Sequence, residues 1–435
     1  MSDLLAARLL MAMSLAFHIL FAATGIAMPL FMVLAERRWQ RTGDAVWLDL
    51  CKRWAKGTAI LFAVGAVSGT VLSFQLGLLW PGFMQKAGPV IGLPFAMEGF
   101  AFFLEAICLG LYLYGWKKLS PRVHLVTGVG VLVAGVASGV FVVAANAWMN
   151  GPTGCRLENG NFVDVDPIAA MCNPMWLPQA AHMLLATFLA VGFAVAGVHA
   201  LMLLRQPASD LHRRALRVAL LVGGVAAIAL PLSGDHLAKR VAELQPVKLA
   251  AMEGLFESEQ PAGLRIGGWP DEAAGVTRWS IEIPYLLGLL AFGDPHAKVR
   301  GLNEFPRDQW PPVAITHVAF QIMVGIGTLL VGVAVLAAFL AWRRRAALDQ
   351  RWFLKLLVLC APLGFVGIEA GWVVTEVGRQ PWIVQGLLRT ADAVTPVQNL
   401  GVPLAGFALL YTMLFLVVFR LLRRHVFASV EAGRA

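Results

Sequence analysis

Long apolar runs dominate the chain, and short polar connections separate them. No run alternates apolar and polar residues with period two, and each is about as long as the 20 residues that a helix needs to cross a bilayer. Because lipid offers no partner to backbone groups, such runs are expected to be helices. The nine runs are Arg8–Ala35, Arg53–Leu78, Gly92–Trp116, Val123–Trp148, Pro178–Leu204, Arg214–Ser233, Pro311–Trp342, Trp352–Val377 and Leu400–Phe419.

This pattern predicts an all-α integral membrane protein with about nine transmembrane helices in one bundle. The composition agrees, since only 14% of the residues are charged, against about 25% in soluble domains. Most of the 35 Lys and Arg residues follow predicted helices 1, 3, 5 and 7 or lie in the C-terminal tail. Short cytoplasmic loops collect basic residues, so the N-terminus is predicted outside and the C-terminus in the cytoplasm. The net charge of +9 then reflects this bias and contact with anionic lipid, and it does not indicate nucleic-acid binding.

One connection is too long to be a simple link. It covers Gly234–Trp310 on the outer side, after the sixth apolar run, and is called the outer loop below. Connections of this length are usually functional or disordered, and its patterned stretches predict an ordered functional loop with one or two short helices. The loop divides the chain into residues 1–233 with helices 1–6, residues 234–310, and residues 311–435 with helices 7–9 and a cytoplasmic tail.

Two of the five cysteines, Cys155 and Cys172, share the outer connection between predicted helices 4 and 5. An oxidising outer compartment permits a disulfide between them. Two unrelated thiols are the alternative, and the sequence leaves both open. No CxxC or CxxCH motif occurs, which argues against covalent c-type haem and against a zinc ribbon.

Several polar side chains fall inside the predicted helices, where ionisable groups are costly and usually mark a pathway or a site. The notable ones are His18, Glu98, Glu105, His182, Glu369 and Glu376, with Met323 on the seventh helix. Glu98 and Glu105 are seven residues apart, so they lie on one helix face about 10 Å apart. This arrangement suits a proton relay, and the alternative is a pair of protonated acids satisfied by hydroxyl groups.

Depth in the membrane groups five of these residues. With the predicted orientation, His18, Glu98, His182, Met323 and Glu376 all fall in the outer half of the bilayer. A His/Met pair is a known axial set for low-spin haem iron. Several candidate ligands at one depth therefore suggest more than one haem or metal centre. Taken singly, a buried His is more often a packing residue, and a single Met is more often core filler.

Short segments in a fixed order carry a family resemblance. Gly371–Trp382, GWVVTEVGRQPW, resembles a signature of subunit I of cytochrome bd quinol oxidases. Other segments that agree with this family are AFHILF, LPFAMEGFAFFLEA, VVAANAWMNGP, QAAHMLLATF, VKLAAMEGLFES, IEIPYLLG and HVAFQIMVG. The resemblance extends over nearly the whole chain.

The resemblance implies a set of haem ligands. His182 and Met323 are similar to the axial ligands of a low-spin haem b. His18 and Glu376 are similar to ligands of a high-spin pair, which comprises one haem b and one haem d, and the assignment of each residue within the pair stays open. The outer loop resembles the short form found in the branch that includes cyanide-insensitive oxidases. There the third haem is either haem d or a third haem b.

The resemblance also implies the remaining functional residues. Lys248 and Glu253 are similar to quinol-site residues. Glu98 is similar to a group beside the high-spin pair, and Glu105 to a group on its proton path. Arg379 is similar to a residue that stabilises haem carboxylates. Gln321 departs from the pattern, since some members carry Arg there. The implied protein is a quinol:oxygen oxidoreductase of the bacterial cytoplasmic membrane. It would work with a second membrane subunit and a very small third one, surrounded by lipid, and reduce O2 to water.

Two other functions compete with this hypothesis. A secondary transporter or proton channel also carries buried Glu, His and Arg residues, but it predicts an inverted repeat and helices broken near the midplane, and the sequence indicates neither. A membrane cytochrome b that does not reduce oxygen needs only His182 and Met323. It leaves His18, Glu98 and Glu376 unexplained.

Overall fold

The computed structural model describes residues 2–424. Within this range, nine helical segments are long and apolar enough to cross a membrane. The predicted fold class is therefore confirmed, whereas the tail beyond residue 424 lies outside the described residues. The helices are α1 (Asp3–Thr42), α2 (Ala45–Leu79), α3 (Pro81–Tyr114), α4 (Pro121–Asn150), α5 (Pro167–Met171), α6 (Trp176–Arg205), α7 (Asp210–Leu244), α8 (Pro246–Glu253), α9 (Leu286–Phe292), α10 (Val313–Arg343), α11 (Arg351–Cys360), α12 (Leu363–Val377) and α13 (Gly401–Leu422).

Most helices extend beyond the apolar runs that predicted them, because capping residues and not hydropathy set their ends. Ser2 accepts a hydrogen bond from the Leu5 amide at the start of α1. Gly43 ends α1 in the left-handed conformation, with φ 69°, and its amide donates a hydrogen bond to the Trp39 carbonyl. Asp44 then caps α2 by accepting from the Val46 amide. This short connection makes α1 and α2 antiparallel neighbours.

The eighth span contains a break that was not expected from the sequence. It consists of α11 and α12, which are separated at Ala361 and Pro362. Proline has no amide hydrogen and its ring collides with the preceding turn. The Ala361 amide bonds instead to the Val358 carbonyl, which tightens the last turn of α11. The expectation of unbroken helices was therefore wrong at this one point.

Close contacts between small residues hold α6 against two other helices. A Cβ atom at Gly192 would lie 2.4 Å from the Cα atom of Gly223 on α7. A Cβ atom at Gly364 on α12 would lie 2.4 Å from the Cα atom of Ala190. Only glycine permits such approaches, which are typical of helix pairs in lipid. Helix α6 is thus packed backbone to backbone on two sides.

The outer loop contains more structure than the sequence predicted. Helix α7 continues to Leu244, so its last turns belong to this segment. The two short helices α8 and α9 follow the expectation. Between them lie two nested antiparallel hairpins that were not expected, in which β3 (Leu264–Ile266) pairs with β6 (Ile281–Ile283) and β4 (Trp269–Asp271) pairs with β5 (Val276–Arg278). Strands of three residues are too short to show a period in the sequence.

The remaining strands form two small hairpins. Strands β1 (Arg156–Glu158) and β2 (Asn161–Val163) lie between α4 and α5, and β7 (Trp382–Val384) and β8 (Leu388–Arg389) follow α12. Cys155 and Cys172 are both free thiols here, which is the arrangement expected from the alternative of two unrelated thiols. Cys155 packs into the apolar cluster that contains Trp148 and Phe162, whereas Cys172 is exposed at the end of α5.

A buried acid and histidine join α1 to α4 near the predicted cytoplasmic side. Nδ1 of His124 lies 2.8 Å from Oε1 of Glu36, and Nε2 lies 2.9 Å from the Tyr112 carbonyl oxygen. The side chains of Glu36 and His124 are 0% and 4% exposed. Gln40 also donates to Glu36 Oε1, at 2.9 Å. The pair ties together three helices, since Tyr112 is on α3.

Breaking this pair is expected to destabilise the protein. Replacement of Glu36 by alanine leaves the His124 ring buried without its acceptor, which typically costs about 1–3 kcal/mol of the free energy of unfolding. Glu36→Gln, which retains a hydrogen-bonding group, is expected to cost less. The free energy of unfolding can be measured by SDS titration in mixed micelles. Equal stability of Glu36→Ala and the unaltered protein would contradict the expectation.

Candidate functional site

His182 on α6 is held by a serine on the neighbouring helix α7. Nδ1 of His182 lies 3.1 Å from the Ser233 hydroxyl oxygen. The next residue, Gly234, makes room for the ring, because a Cβ atom there would lie 3.3 Å from His182 Cε1. The imidazole is therefore fixed through one nitrogen, which leaves Nε2 as its candidate metal-binding atom.

His18 on α1 has the same kind of surroundings. Its Nδ1 atom lies 3.1 Å from the Ser68 hydroxyl oxygen on α2. A Cβ atom at Gly69 would lie 2.9 Å from His18 Cε1. Both histidines are thus placed by a serine and a glycine on the following long helix. Each ring is oriented by its Nδ1 atom.

Met323 on α10 faces a glycine of α12. A Cβ atom at Gly371 would lie only 3.1 Å from the Met323 sulfur. Helix α10 packs against both α7 and α12, and α6 packs against the same two helices. The structure therefore brings the helices that carry His182 and Met323 into one group.

Glu376 is the centre of a polar cluster at the end of α12. Arg379 donates to its Oε2 atom at 2.6 Å, and the Asn146 amide nitrogen on α4 donates to Oε1 at 2.5 Å. Arg379 is only 3% exposed. Its Nε and Nη1 atoms are buried without a hydrogen-bond partner in the described structure. Unpaired guanidinium donors in an apolar setting call for an additional anion.

A chain of hydrogen bonds connects this cluster to the outer loop. The Asn146 oxygen accepts from Asn150 at 3.1 Å and from Gln179 at 2.7 Å. The Asn150 oxygen in turn accepts from Lys248 Nζ at 2.9 Å and from Gln245 at 3.2 Å. Lys248 and Glu376 are far apart in the sequence, yet only two asparagine side chains separate them here.

Glu98 and Glu105 face α4 from positions two turns apart on α3. The Ser138 hydroxyl donates to Glu98 Oε1 at 3.3 Å. A Cβ atom at Gly135 would lie 3.0 Å from Glu105 Oε1. Glu105 is 5% exposed, whereas Glu98 is half-buried. No side-chain hydrogen bond holds Glu105 among the described residues, so its carboxyl group is not used to join helices.

Lys248 and Glu253 lie at opposite ends of α8, and both are buried, with exposures of 5% and 3%. Burial lowers the pKa of the Lys248 ammonium group to about 7. The positive charge of Arg379 also lowers this pKa, and the negative charge of Glu376 raises it. Burial raises the pKa of the Glu253 carboxyl group to about 8, against the effect of Arg265. The Glu253 Oε2 atom has no hydrogen-bond partner in the described part of the chain. Both groups can thus exchange protons near neutral pH.

His317 and Gln321 on α10 clamp the outer loop to the membrane-spanning bundle. The two ring nitrogens of His317 lie 2.8 Å from the Met252 carbonyl oxygen and 3.0 Å from that of Gly267. Gln321 donates to the Arg265 carbonyl at 3.0 Å and accepts from the Gly267 amide at 3.0 Å. Gln321 therefore positions the hairpin of the outer loop, a role that the sequence did not indicate.

Comparison with known proteins identifies the family. The family model described as "Cytochrome bd terminal oxidase subunit I" matches residues 6–430. The chain belongs to this family. A Bacillus subtilis (strain 168) protein provisionally named as a cytochrome bd menaquinol oxidase subunit I is 40% identical over 95% of this chain and 94% of its own length. The cytochrome bd ubiquinol oxidase subunit 1 of the same strain is 32% identical over 97% and 93%.

A solved structure agrees with the family assignment. A chain of the bd oxidase from Geobacillus thermodenitrificans matches with a TM-score of 0.92 at 39% identity, over 98% of both chains. A cytochrome bd terminal oxidase subunit I is a multi-pass protein of the bacterial respiratory membrane. The membrane location predicted from the sequence is therefore confirmed.

The candidate residues fit the haem groups that this family implies. His18 and His182 each present a ring whose Nε2 atom is directed away from its serine partner. Met323 faces Gly371, which has no side chain. The buried, unpaired nitrogens of Arg379 suit a haem carboxylate. Within residues 2–424, no group of three or more His, Cys, Asp or Glu side chains could hold a metal ion alone. Dispersed single ligands are typical of a prosthetic group that brings its own equatorial nitrogens.

Sequence reasoning missed the residues that connect the candidates. Asn150 continues the bridge from Asn146 to Lys248, and Gln179 and Gln245 donate to the two asparagine oxygens. Ser68 and Ser233 hold the histidines. Amides and hydroxyls are common inside helices, so their types alone carried no signal. The Ser-Gly dipeptide that follows each histidine after about fifty residues was a signal that could have been found.

Loosening the clamp on the outer loop is expected to weaken substrate binding. Gln321→Leu removes two hydrogen bonds of about 1 kcal/mol each, so the KM for quinol is expected to rise by up to about 30-fold while the haem content stays unchanged. Steady-state oxygen consumption and limited trypsin digestion of the loop test this. Gln309→Leu is the matched control, since that glutamine lies in the same loop, on the short helix Arg307–Gln309. An unchanged KM in Gln321→Leu would contradict the clamp.

Proposed function

We propose that this subunit oxidises quinol at its outer loop and passes the electrons to a haem pair that reduces O2 to water. The observation that carries the proposal is the hydrogen-bonded path from buried Lys248 through Asn150 and Asn146 to Glu376. It joins the predicted substrate loop to a predicted haem ligand. A satisfied polar network in a low-dielectric setting is rigid, so it would hold the substrate loop in a fixed position relative to Glu376.

The haem ligands are assigned to the residues that fit them best. His182 and Met323 would hold the low-spin haem b, and His18 and Glu376 the high-spin pair, which consists of haem b with haem d or a third haem b. The haems supply the one-electron chemistry and the oxygen-binding iron when they are bound. Arg379 neutralises Glu376 and offers two further donors to haem carboxylates.

Quinol oxidation requires groups that accept protons on the outer side. Lys248 and Glu253 are buried and have pKa values of about 7 and about 8, so both are close to half-ionised in the range where quinol is oxidised. With the N-terminus outside, this loop faces the outer compartment, and the protons released there leave the cell. The loop clamp of His317 and Gln321 keeps Glu253 next to α10.

The protons consumed at the oxygen site come from the cytoplasmic side. Glu105 and Glu98 lie one above the other on α3, directed towards α4, and would deliver them in the last steps. Uptake inside and release outside charge the membrane, and each charge moved across 100 mV stores about 2.3 kcal/mol. This coupling would make the subunit a generator of membrane potential.

A second membrane subunit would cover the exposed apolar faces of α2 and α3. Phe74, Phe100 and Phe103 are 68%, 73% and 66% exposed on these helices. Membership of the family implies this companion subunit. A very small third subunit is part of the same proposal.

A visible spectrum of the purified complex tests the proposal, with haems quantified as pyridine haemochromes. Three haems per complex and quinol-dependent oxygen consumption are expected. Met323→Leu is expected to remove the low-spin haem b signal, and Met202→Leu on α6 serves as the matched control. A complex without haem would overturn the oxidase function, and the break at Pro362 would then favour a transporter.

A further inference from the structure

We infer that Ser233 and Ser68 are positioning residues that fix the tautomer of His182 and His18, and thereby tune the two haem irons. The inference rests on the proposed function, in which both histidines are haem ligands. It assigns a role to two hydroxyl groups on helices that carry no ligand themselves.

Ser233 has one hydroxyl proton and two contacts. Its oxygen lies 2.8 Å from the Leu230 carbonyl oxygen and 3.1 Å from His182 Nδ1. A carbonyl oxygen only accepts, so the serine proton is used on Leu230. The second contact is then a hydrogen bond only if His182 carries its proton on Nδ1 and donates it to Ser233. In that tautomer the Nε2 lone pair is available to iron.

Ser68 repeats this arrangement at the other histidine. Its hydroxyl donates to the Gly65 carbonyl at 3.1 Å, and its oxygen lies 3.1 Å from His18 Nδ1. His18 is therefore also the donor, and its Nε2 atom carries the lone pair. Both serines donate to the carbonyl three residues earlier in their own helix. This hydrogen bond fixes the direction of each hydroxyl hydrogen, away from the histidine.

The two sites share a sequence pattern as well as a geometry. Ser68 and Ser233 follow their histidines by 50 and 51 residues, and each is followed by a glycine. A Cβ atom at either glycine would lie within 3.3 Å of the ring, 2.9 Å at Gly69 and 3.3 Å at Gly234. The serine orients the imidazole and the glycine makes space for it. Two matching helix pairs, α1 with α2 and α6 with α7, thus present a histidine in the same way.

A hydrogen bond from Nδ1–H makes the opposite nitrogen a stronger donor to iron, which favours the oxidised metal. Removing the acceptor is therefore expected to raise the reduction potential of the haem. Removing such a partner typically changes metal-site properties by about tenfold or more. For a one-electron couple, a tenfold change in the equilibrium constant corresponds to about 59 mV.

The test is a spectroelectrochemical titration of the assembled oxidase. In Ser233→Ala we expect the low-spin haem at unchanged stoichiometry, with its potential shifted upward by about 59 mV. Ser233→Thr and Ser233→Val have nearly the same shape, and only threonine keeps the hydroxyl, so we expect the shift in valine alone. This pair keeps the inference testable if the alanine variant assembles poorly.

Ser68 has its own readout and its own control. We expect the iron–histidine stretching frequency of a ferrous high-spin haem to fall in Ser68→Ala, as measured by resonance Raman spectroscopy. Ser73→Ala removes a serine of the same helix that bonds only to the Gly69 carbonyl, at 3.1 Å, and it should leave the frequency unchanged.

Two outcomes separate the inference from the proposed function. If His182→Ala loses the low-spin haem while Ser233→Val keeps the original potential, the histidine is a ligand and the serine role is overturned. If His182→Ala retains an unaltered low-spin haem spectrum, the ligand assignment itself fails.

Discussion

Replacing Glu105 with glutamine is expected to lower quinol-dependent oxygen consumption by about 100-fold, since loss of a proton-transferring group typically costs 10²–10⁴ in rate. Glutamine has nearly the same shape and fits beside Gly135, so the fold and haem content should be retained. It cannot release a proton, however. The measurement is steady-state oxygen uptake together with the absorbance of the bound haems.

Two controls define what this result means. Glu158→Gln changes an exposed acid on β1 and should leave the rate unchanged. Glu105→Asp keeps a carboxyl group and should retain more activity than Glu105→Gln. Full activity in Glu105→Gln at normal haem content would show that protons reach the oxygen site without this residue.

Quinol oxidation is expected to accelerate as the pH rises from about 6 to 9. Lys248, with its pKa lowered to about 7 by burial, is charged below that pH and becomes a neutral proton acceptor above it. Glu253, with its pKa raised to about 8 by burial, is protonated below that pH and accepts a proton only above it. Both groups therefore gain the ability to take a quinol proton with increasing pH.

Variants of these two residues should change the shape of the pH profile as well as its height. Lys248→Met is expected to remove the step near pH 7, and Glu253→Gln the step near pH 8, each with a loss in kcat/KM of about 100-fold. Lys298→Met, at an exposed lysine of the same loop, is the control. A profile that keeps both steps in both variants would exclude these groups as the proton acceptors.

The helices were predictable because the membrane imposes a strong rule on the sequence. A span in lipid must be long, apolar and internally hydrogen-bonded, so each of the nine runs was visible without any tertiary information. Single polar residues such as His18 and Glu105 stood out against that background for the same reason. The ends of the helices were less predictable, as α7 shows, because a helix continues into water wherever caps and packing allow.

The tertiary connections were not predictable from the chain alone. The link between Lys248 and Asn150 joins residues that are 98 positions apart, and no local pattern encodes it. The break at Pro362 depends on whether neighbours tolerate a proline within a helix. Cys155 is half-buried and Cys172 is exposed, and their spacing in the sequence does not give this difference.

The contact of Gly192 with Gly223, and of Ala190 with Gly364, has a consequence for electron transfer. Helix α6 carries His182, and it cannot slide or tilt against α7 or α12 without overlap of backbone atoms. A ligand on such a helix keeps its position when the charge of the metal changes, and Ser233 moves with it because it belongs to α7. In the proposed function, where His182 holds the low-spin haem, this packing would keep the reorganisation energy of that centre small, so that electrons could arrive and leave without waiting for the protein to rearrange.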